Sequence, residues 1–147
     1  MNDYRSDIQQ FLKANGFSNV FFDGFVATDN QSDAINSNQI NIESESEISN
    51  DDNFPITTAV IGIYVKNASL TTAISQSKQI KALLNGWYGR LISTGTPVRF
   101  KRISCITEPH NWSRNTNNQN LYLTRFKLIF EDPDKKNIHT NPRVFPS

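Results

Sequence analysis

Hydrophobic positions along the chain change period several times, and each change marks an element. Tyr4, Ile8, Phe11 and Leu12 recur at helical spacing, so residues 3–15 predict a helix, with Asn2 or Asp3 as its cap and Gly16 as its left-handed stop. Residues 17–26 carry Val20, Phe21, Phe22, Phe25 and Val26, a first strand turned or interrupted near Asp23-Gly24. Strict alternation returns over 57–66, where Ala59, Ile61, Ile63 and Val65 share one face and Val60 and Tyr64 the other. From Asn67 or Ser69 to about residue 85 the period is helical again, through Leu70, Ala73, Ile74, Ser77, Ile80, Leu84 and Trp87.

After the turn at 93–97, residues 98–106 read as a strand whose apolar face slips by one position, from Val98 and Phe100 to Ile103 and Cys105. That slip predicts a bulge near Lys101-Arg102. Residues 108–120 read as a polar connection. Residues 121–130 form the last strand, with Tyr122, Thr124, Phe126, Leu128 and Phe130 on one face. Asp132-Pro133-Asp134 stops it, and residues 135–147 read as an extended C-terminal tail. The order lacks repeated β-α-β alternation. It predicts an α+β fold: a small, mixed, mainly antiparallel sheet with two helices packed on one face, in a single domain over 1–134.

One stretch fits no period. Residues 28–54 are rich in Asn, Ser, Asp, Glu and Gln, and read as a long acidic loop or hairpin insertion. The alternation at Ile40-Asn41-Ile42 and Glu43-Ser44-Glu45 allows a weak edge strand within it.

Charge sharpens this picture. The chain has 147 residues and a net charge of +1, but no Lys or Arg lies between Lys13 and Lys66. That stretch holds Asp23, Asp29, Asp33, Glu43, Glu45, Glu47, Asp51 and Asp52, whereas thirteen basic residues and four acids follow from Lys66 onward. A near-neutral total therefore hides a strong internal polarity. One reading is a solvated acidic loop. The other is a head-to-tail contact in which the acidic segment, ordering on assembly, meets a basic strand of a neighbouring copy. The residues placed at such a subunit or partner interface are Asp29, Asp33, Glu43, Glu45, Glu47, Asp51, Asp52, Arg99, Lys101, Arg102, Trp112 and Arg114.

The sequence offers little for chemistry. It has no Gly-x-Ser-x-Gly elbow, phosphate loop or dinucleotide fingerprint. Cys105, Glu108 and His110 are close in sequence, but an extended chain sends Cys105 and Glu108 to opposite faces. Asp51-Asp52 lacks the frame of a calcium loop. The expectation is no enzyme, no cofactor and no metal. A single cysteine excludes an internal disulfide and fits a reducing cytosol. No apolar run is long enough to span a bilayer and the N-terminus is polar, so no membrane partner or signal peptide is expected. A small nucleic-acid-binding module is a rival reading, since Arg99, Lys101, Arg102, Arg114, Arg125 and Lys127 interleave with Phe100, Tyr122 and Phe126.

The layout from Ala59 onward resembles the tail terminator (minor capsid or neck terminator) proteins of tailed bacteriophages. The likeness rests on the strand ending at Val65, the helix Leu70-Thr71-Thr72-Ala73-Ile74-Ser75-Gln76-Ser77-Lys78-Gln79-Ile80-Lys81-Ala82-Leu83-Leu84, and the strand through Arg102-Ile103. It also draws on the final Tyr122-Leu123-Thr124-Arg125-Phe126 strand and the N-terminal Ile8-Gln9-Gln10-Phe11-Leu12 helix. The resemblance implies a structural virion protein without catalytic residues. It would form a ring, usually hexameric, that caps the tail tube, stops its growth and offers a docking surface to the head connector. The implied partners are further copies of itself, the tail tube protein and a head-tail connector or head-closure protein. Genomic DNA would pass through the lumen without specific binding. The implied location is the tail-neck region of the virion, after assembly in the host bacterial cytoplasm. Another neck component, a head-closure or tail-completion protein, is the alternative from the same class.

Overall fold

In a computed structural model, the described residues form two helices and a six-stranded mixed sheet that curls into a half-barrel. The structure describes residues 4–23, 38–49, 56–93, 98–114 and 120–131. The elements are α1 (Tyr4–Ala14), β1 (Val20–Phe22), β2 (Gln39–Ser49), β3 (Ile56–Asn67), α2 (Leu70–Leu84), β4 (Gly89–Arg90), β5 (Arg99–Arg114) and β6 (Asn120–Glu131). Strand order across the sheet is β1-β2-β3-β6-β5-β4. Only β1 and β2 run parallel; every other pair is antiparallel.

β3 sits at the centre, paired along its length with β2 on one side and β6 on the other. Its alternation does what the sequence predicts. Ala59, Ile61, Ile63 and Val65 are buried, and register sets them beside Leu128, Phe126, Thr124 and Tyr122 of β6. Ile40 and Ile42 of β2 continue this face beside Val65 and Ile63, and Val20 of β1 lies beside Ile40. One buried cluster joins these residues to Tyr4, Ile8, Phe11 and Leu12 of α1 and to Ala73, Ile80 and Leu84 of α2. Aromatic rings anchor α1: Tyr4 lies 4.8 Å from Phe130 of β6, and Phe11 lies 5.0 Å from Trp87, between α2 and β4. Such pairs add to the stabilisation from their buried area.

Local signals fix the helix ends. Gly16, at φ 98°, closes α1: its N–H donates to the Lys13 carbonyl and that of Phe17 to the Leu12 carbonyl, the pairing of a Schellman stop. Ser69 caps α2 by accepting from the Thr72 N–H. The far end of α2 is stitched to β5. The Gly86 N–H donates to the Ile103 carbonyl, the Ile103 N–H to the Trp87 carbonyl, and the Cys105 N–H to Asn85 Oδ1. A further tether is buried: Asp7 Oδ2 on α1 accepts from the Val98 N–H at 2.7 Å, ahead of β5.

Two expectations need correction. Residues 39–49 are not loop: they form β2, paired with β3 along its length and covered by β1 only at Ile40–Ile42, so that among the described residues the part beyond Ile42 is an edge, as the alternation allowed. Its Ile40 and Ile42 supply core contacts, and its polar half is held by ladder bonds that need no apolar side chains. Residues 28–37 and 50–54, and the tail at 135–147, lie outside the described residues. Likewise, the polar connection expected at 108–120 is strand as far as Arg114, because β6 pairs with β5 down to Asn120. The predicted bulge is present as a register shift between Phe100 and Arg102, and three further shifts follow along β5. Bulges increase local twist, which suits a sheet that curls.

Replacing Asp7 by Ala removes a buried carboxylate acceptor and leaves the Val98 N–H to find another partner. We expect Asp7→Ala to cost roughly 1.5–3 kcal/mol of folding stability, measured by urea denaturation. A loss below ~0.5 kcal/mol would mean the tether contributes little.

Candidate assembly surface

Residues of both helices join the cluster on one face of β3, and the opposite face of that strand meets polar and aromatic residues. At its centre is Gly62 on β3, which pairs with Glu43 on one side and Arg125 on the other. A Cβ at Gly62 would lie 2.8 Å from Glu45 Oε2 and 3.0 Å from Leu123 Cδ1. Its absence leaves a gap through which Glu45 on β2 and Arg125 on β6 meet across the intervening strand. Arg125 Nε stands 3.0 and 2.9 Å from the two carboxylate oxygens of Glu45. Register explains the reach: the β2 ladder shifts between Ser44 and Ser46, so Glu45 is the extra residue of a bulge and is re-aimed toward β6.

Aromatic residues border this ion pair. The Arg125 guanidinium lies 6.0 Å from the Trp112 ring centre, and Trp112 meets Tyr64 edge-on at 6.3 Å. Trp112 sits at the last register shift of β5, between Asn111 and Ser113, and remains half exposed. Burial first, and then the Glu43 and Glu45 carboxylates, push the Tyr64 phenol up, while Arg125 pulls it down. Leu123 lies fully buried on this side of the sheet.

The residues expected at an interface separate into groups. Asp29, Asp33, Asp51 and Asp52 lie outside the described residues. Arg114 closes β5 opposite Asn120. Glu43 accepts from Asn41 Nδ2 on its own strand, and Glu45 is held by Arg125. Lys101 pairs with Glu131 at 2.8 Å, and Arg102 Nε donates to Ser104 Oγ at 2.9 Å. Glu47 and Arg99 are exposed, and neither is among the ion pairs of the described residues. Thus, among the described side chains, the acids of β2 and the bases of β5 form no ion pair with one another. They occupy opposite sides of the sheet, separated by β3 and β6.

Sequence reasoning missed the Glu45–Arg125 pair, Tyr64 and Gly62. A glycine inside an apolar strand was the available signal, because such a residue often marks a close approach. The candidate ligands on β5 do not converge. The Cys105 thiol donates to the Thr107 carbonyl, Glu108 pairs with Lys81, and His110 Nδ1 lies 3.0 Å from the Glu108 carbonyl. Burial, reinforced by Glu108, pushes the Cys105 thiol up, which disfavours the thiolate a metal needs. The base-stacking reading loses its platform as well. Phe100 and Phe126 are buried in the core, and Tyr122 packs against it.

A double-mutant cycle should isolate the ion pair. With Gly62 present we expect a Glu45–Arg125 coupling of roughly 0.5–1 kcal/mol that falls with added salt. In a Gly62→Ala background it should drop close to zero, because the methyl group fills the gap. An unchanged coupling would show that the pair does not depend on the glycine. The phenol gives a second readout. Glu45→Gln removes one raising charge and releases Arg125, so Tyr64 should ionise at lower pH in an ultraviolet titration. In the parent chain the raised value makes stability fall as pH rises past the ordinary phenol value toward the folded one, because the unfolded chain ionises first. Tyr64→Phe should flatten that fall.

No family model matches the sequence, and neither does any curated protein. Among solved structures, the chain superposes on a chain of the "Virion of native gene transfer agent (GTA) particle" with a TM-score of 0.58 and 14% identity. The match covers 87% of this chain and 94% of that one. The chain therefore shares the fold of that virion component over nearly the whole length of both.

Proposed function

We propose that this protein is a structural component of a phage-type virion, acting as a terminator ring at the neck end of the tail. The observation that carries the reading is the fold shared with a chain of a gene transfer agent virion over 87% of this chain. The finer assignment rests on the resemblance of the sequence to tail terminators, whose helix-strand order this chain's α1, β3, α2, β5 and β6 follow.

The mechanism is steric. Copies dock on the last ring of tube protein, close into a ring and present a face that no longer templates tube subunits. That face then receives the head connector, and DNA passes through the lumen. Acids on β2 would suit a surface near that path, because like charge repels phosphate. No bond is made or broken, and no cofactor takes part.

Mass by light scattering over a concentration series, with negative-stain images and co-sedimentation on purified tail tubes, tests this. We expect closed rings with a central hole near tube width, and caps at tube ends. Binding to head connectors with no affinity for tubes would move the protein to head closure. Absence from purified virions would overturn the structural role. A nucleic-acid module would instead show affinity that falls steeply between two salt concentrations.

A further inference from the structure

Across the sheet, the ladder relates positions on opposite sides. Ile48 of β2 pairs with Thr58, Thr58 with Ile129, and Ile129 with Arg102 of β5. On the far side of β5, Gly89 pairs with Phe100 and the Trp87 carbonyl accepts from the Ile103 N–H, so Tyr88 between them stands at the same level as Arg102. Ile48 and Tyr88 therefore sit at one height along the strands, on opposite edges.

Both are large hydrophobic side chains that the fold leaves mostly in water. Ile48 is 65% exposed and Tyr88 80% exposed. Their surroundings carry opposite charge. Glu47 precedes Ile48 on a strand with no Lys or Arg, and Arg90 and Arg99, paired with each other in register, stand beside Tyr88. Among the described residues, β1 covers β2 only at Ile40–Ile42, and β4 has no strand on its outer side.

We propose that these two edges bind each other between copies: the Glu47–Ile48 edge of one copy docks on the Tyr88–Arg90–Arg99 edge of the next. The occupant is a second copy of this chain, because each edge finds its complement in charge and height on the other. Patches at one height are related by rotation about an axis along the strands, so the contact can close into a ring rather than climb into a filament. Tyr and Arg are favoured anchors at such contacts, and the opposed charges set register and encounter rate. This inference rests on the ring reading above and names its subunit contact.

A cross-linking experiment tests it. In a Cys105→Ser background, Ile48→Cys and Tyr88→Cys are combined and the protein is oxidised at high concentration. The two positions are four strand spacings apart, far beyond the ~7 Å that a disulfide tolerates, so any bridge is between copies. We expect a ladder of linked multimers that stops at one closed size, with each single variant giving background dimers only. Yield should fall with salt, and by about fivefold for Glu47→Arg or Arg99→Glu alone, the effect of one exposed ion pair, and recover when the two are combined. A yield no higher than that of a single control cysteine, Ser75→Cys at an exposed position of α2, overturns the contact. Should the cysteine variants misfold, the same charge-swap series in the parent chain, followed by sedimentation, decides: association unchanged by either reversal overturns it. Rings that cap tubes without the cross-link sink this pairing and leave the neck role standing. Cross-linked rings that ignore tubes sink the neck role and leave the pairing.

Discussion

The two-sided pairing of β3 is the constraint on which the rest depends. Side chains alternate along a strand, so a slip of one residue would send Ala59, Ile61, Ile63 and Val65 to water and Val60, Gly62, Tyr64 and Lys66 to the core. Register with β2 and β6 is therefore fixed by burial. Once it is fixed, the face that receives the α1 and α2 residues of the core cluster follows, and so does the face that carries the Glu45–Arg125 pair. Gly62 lies on that second face, where its missing side chain lets two strands on either side of it communicate.

Strand order then turns a one-dimensional charge pattern into a two-dimensional one. The acidic segment supplies β2, next to the β1 edge, and the basic segment supplies β5, next to the β4 edge. Had β2 and β5 been neighbours, their charges would have been satisfied within the chain. β3 and β6 lie between them instead. The ion pairs that do form, such as Lys101–Glu131 and Arg5–Asp23, involve partly exposed groups and contribute little to stability. The charge segregation is better matched to association, where it governs encounter and register, than to holding the monomer together.

Irregularity in the ladder has a similar consequence. The bulge at Ser44–Ser46 re-aims Glu45, and the shifts along β5 carry Trp112 to the neighbourhood of Tyr64 and Arg125. Pro109 is accommodated in β5 where register is already broken, between Thr107 and His110, and beyond the reach of β4. A strand with these features curls, and the half-barrel is the result.

Periodicity alone determined α1, β3, α2 and β6, because each buries one face and the spacing of Ile8 and Leu12, or of Phe126 and Leu128, records it directly. Caps at Gly16 and Ser69 and the bulge near Lys101-Arg102 were equally local, and equally legible. The polar half of β2 was not, since Glu43 to Ser49 contains only one apolar residue, the exposed Ile48, and gains its place from backbone bonds to β3 that leave no mark on side-chain pattern. The lower half of β5 was hidden for the same reason. The meeting of Glu45 with Arg125, eighty positions away, and the placing of opposite charges on opposite edges were decided by strand order, a property of the whole sheet that no local stretch of the chain encodes.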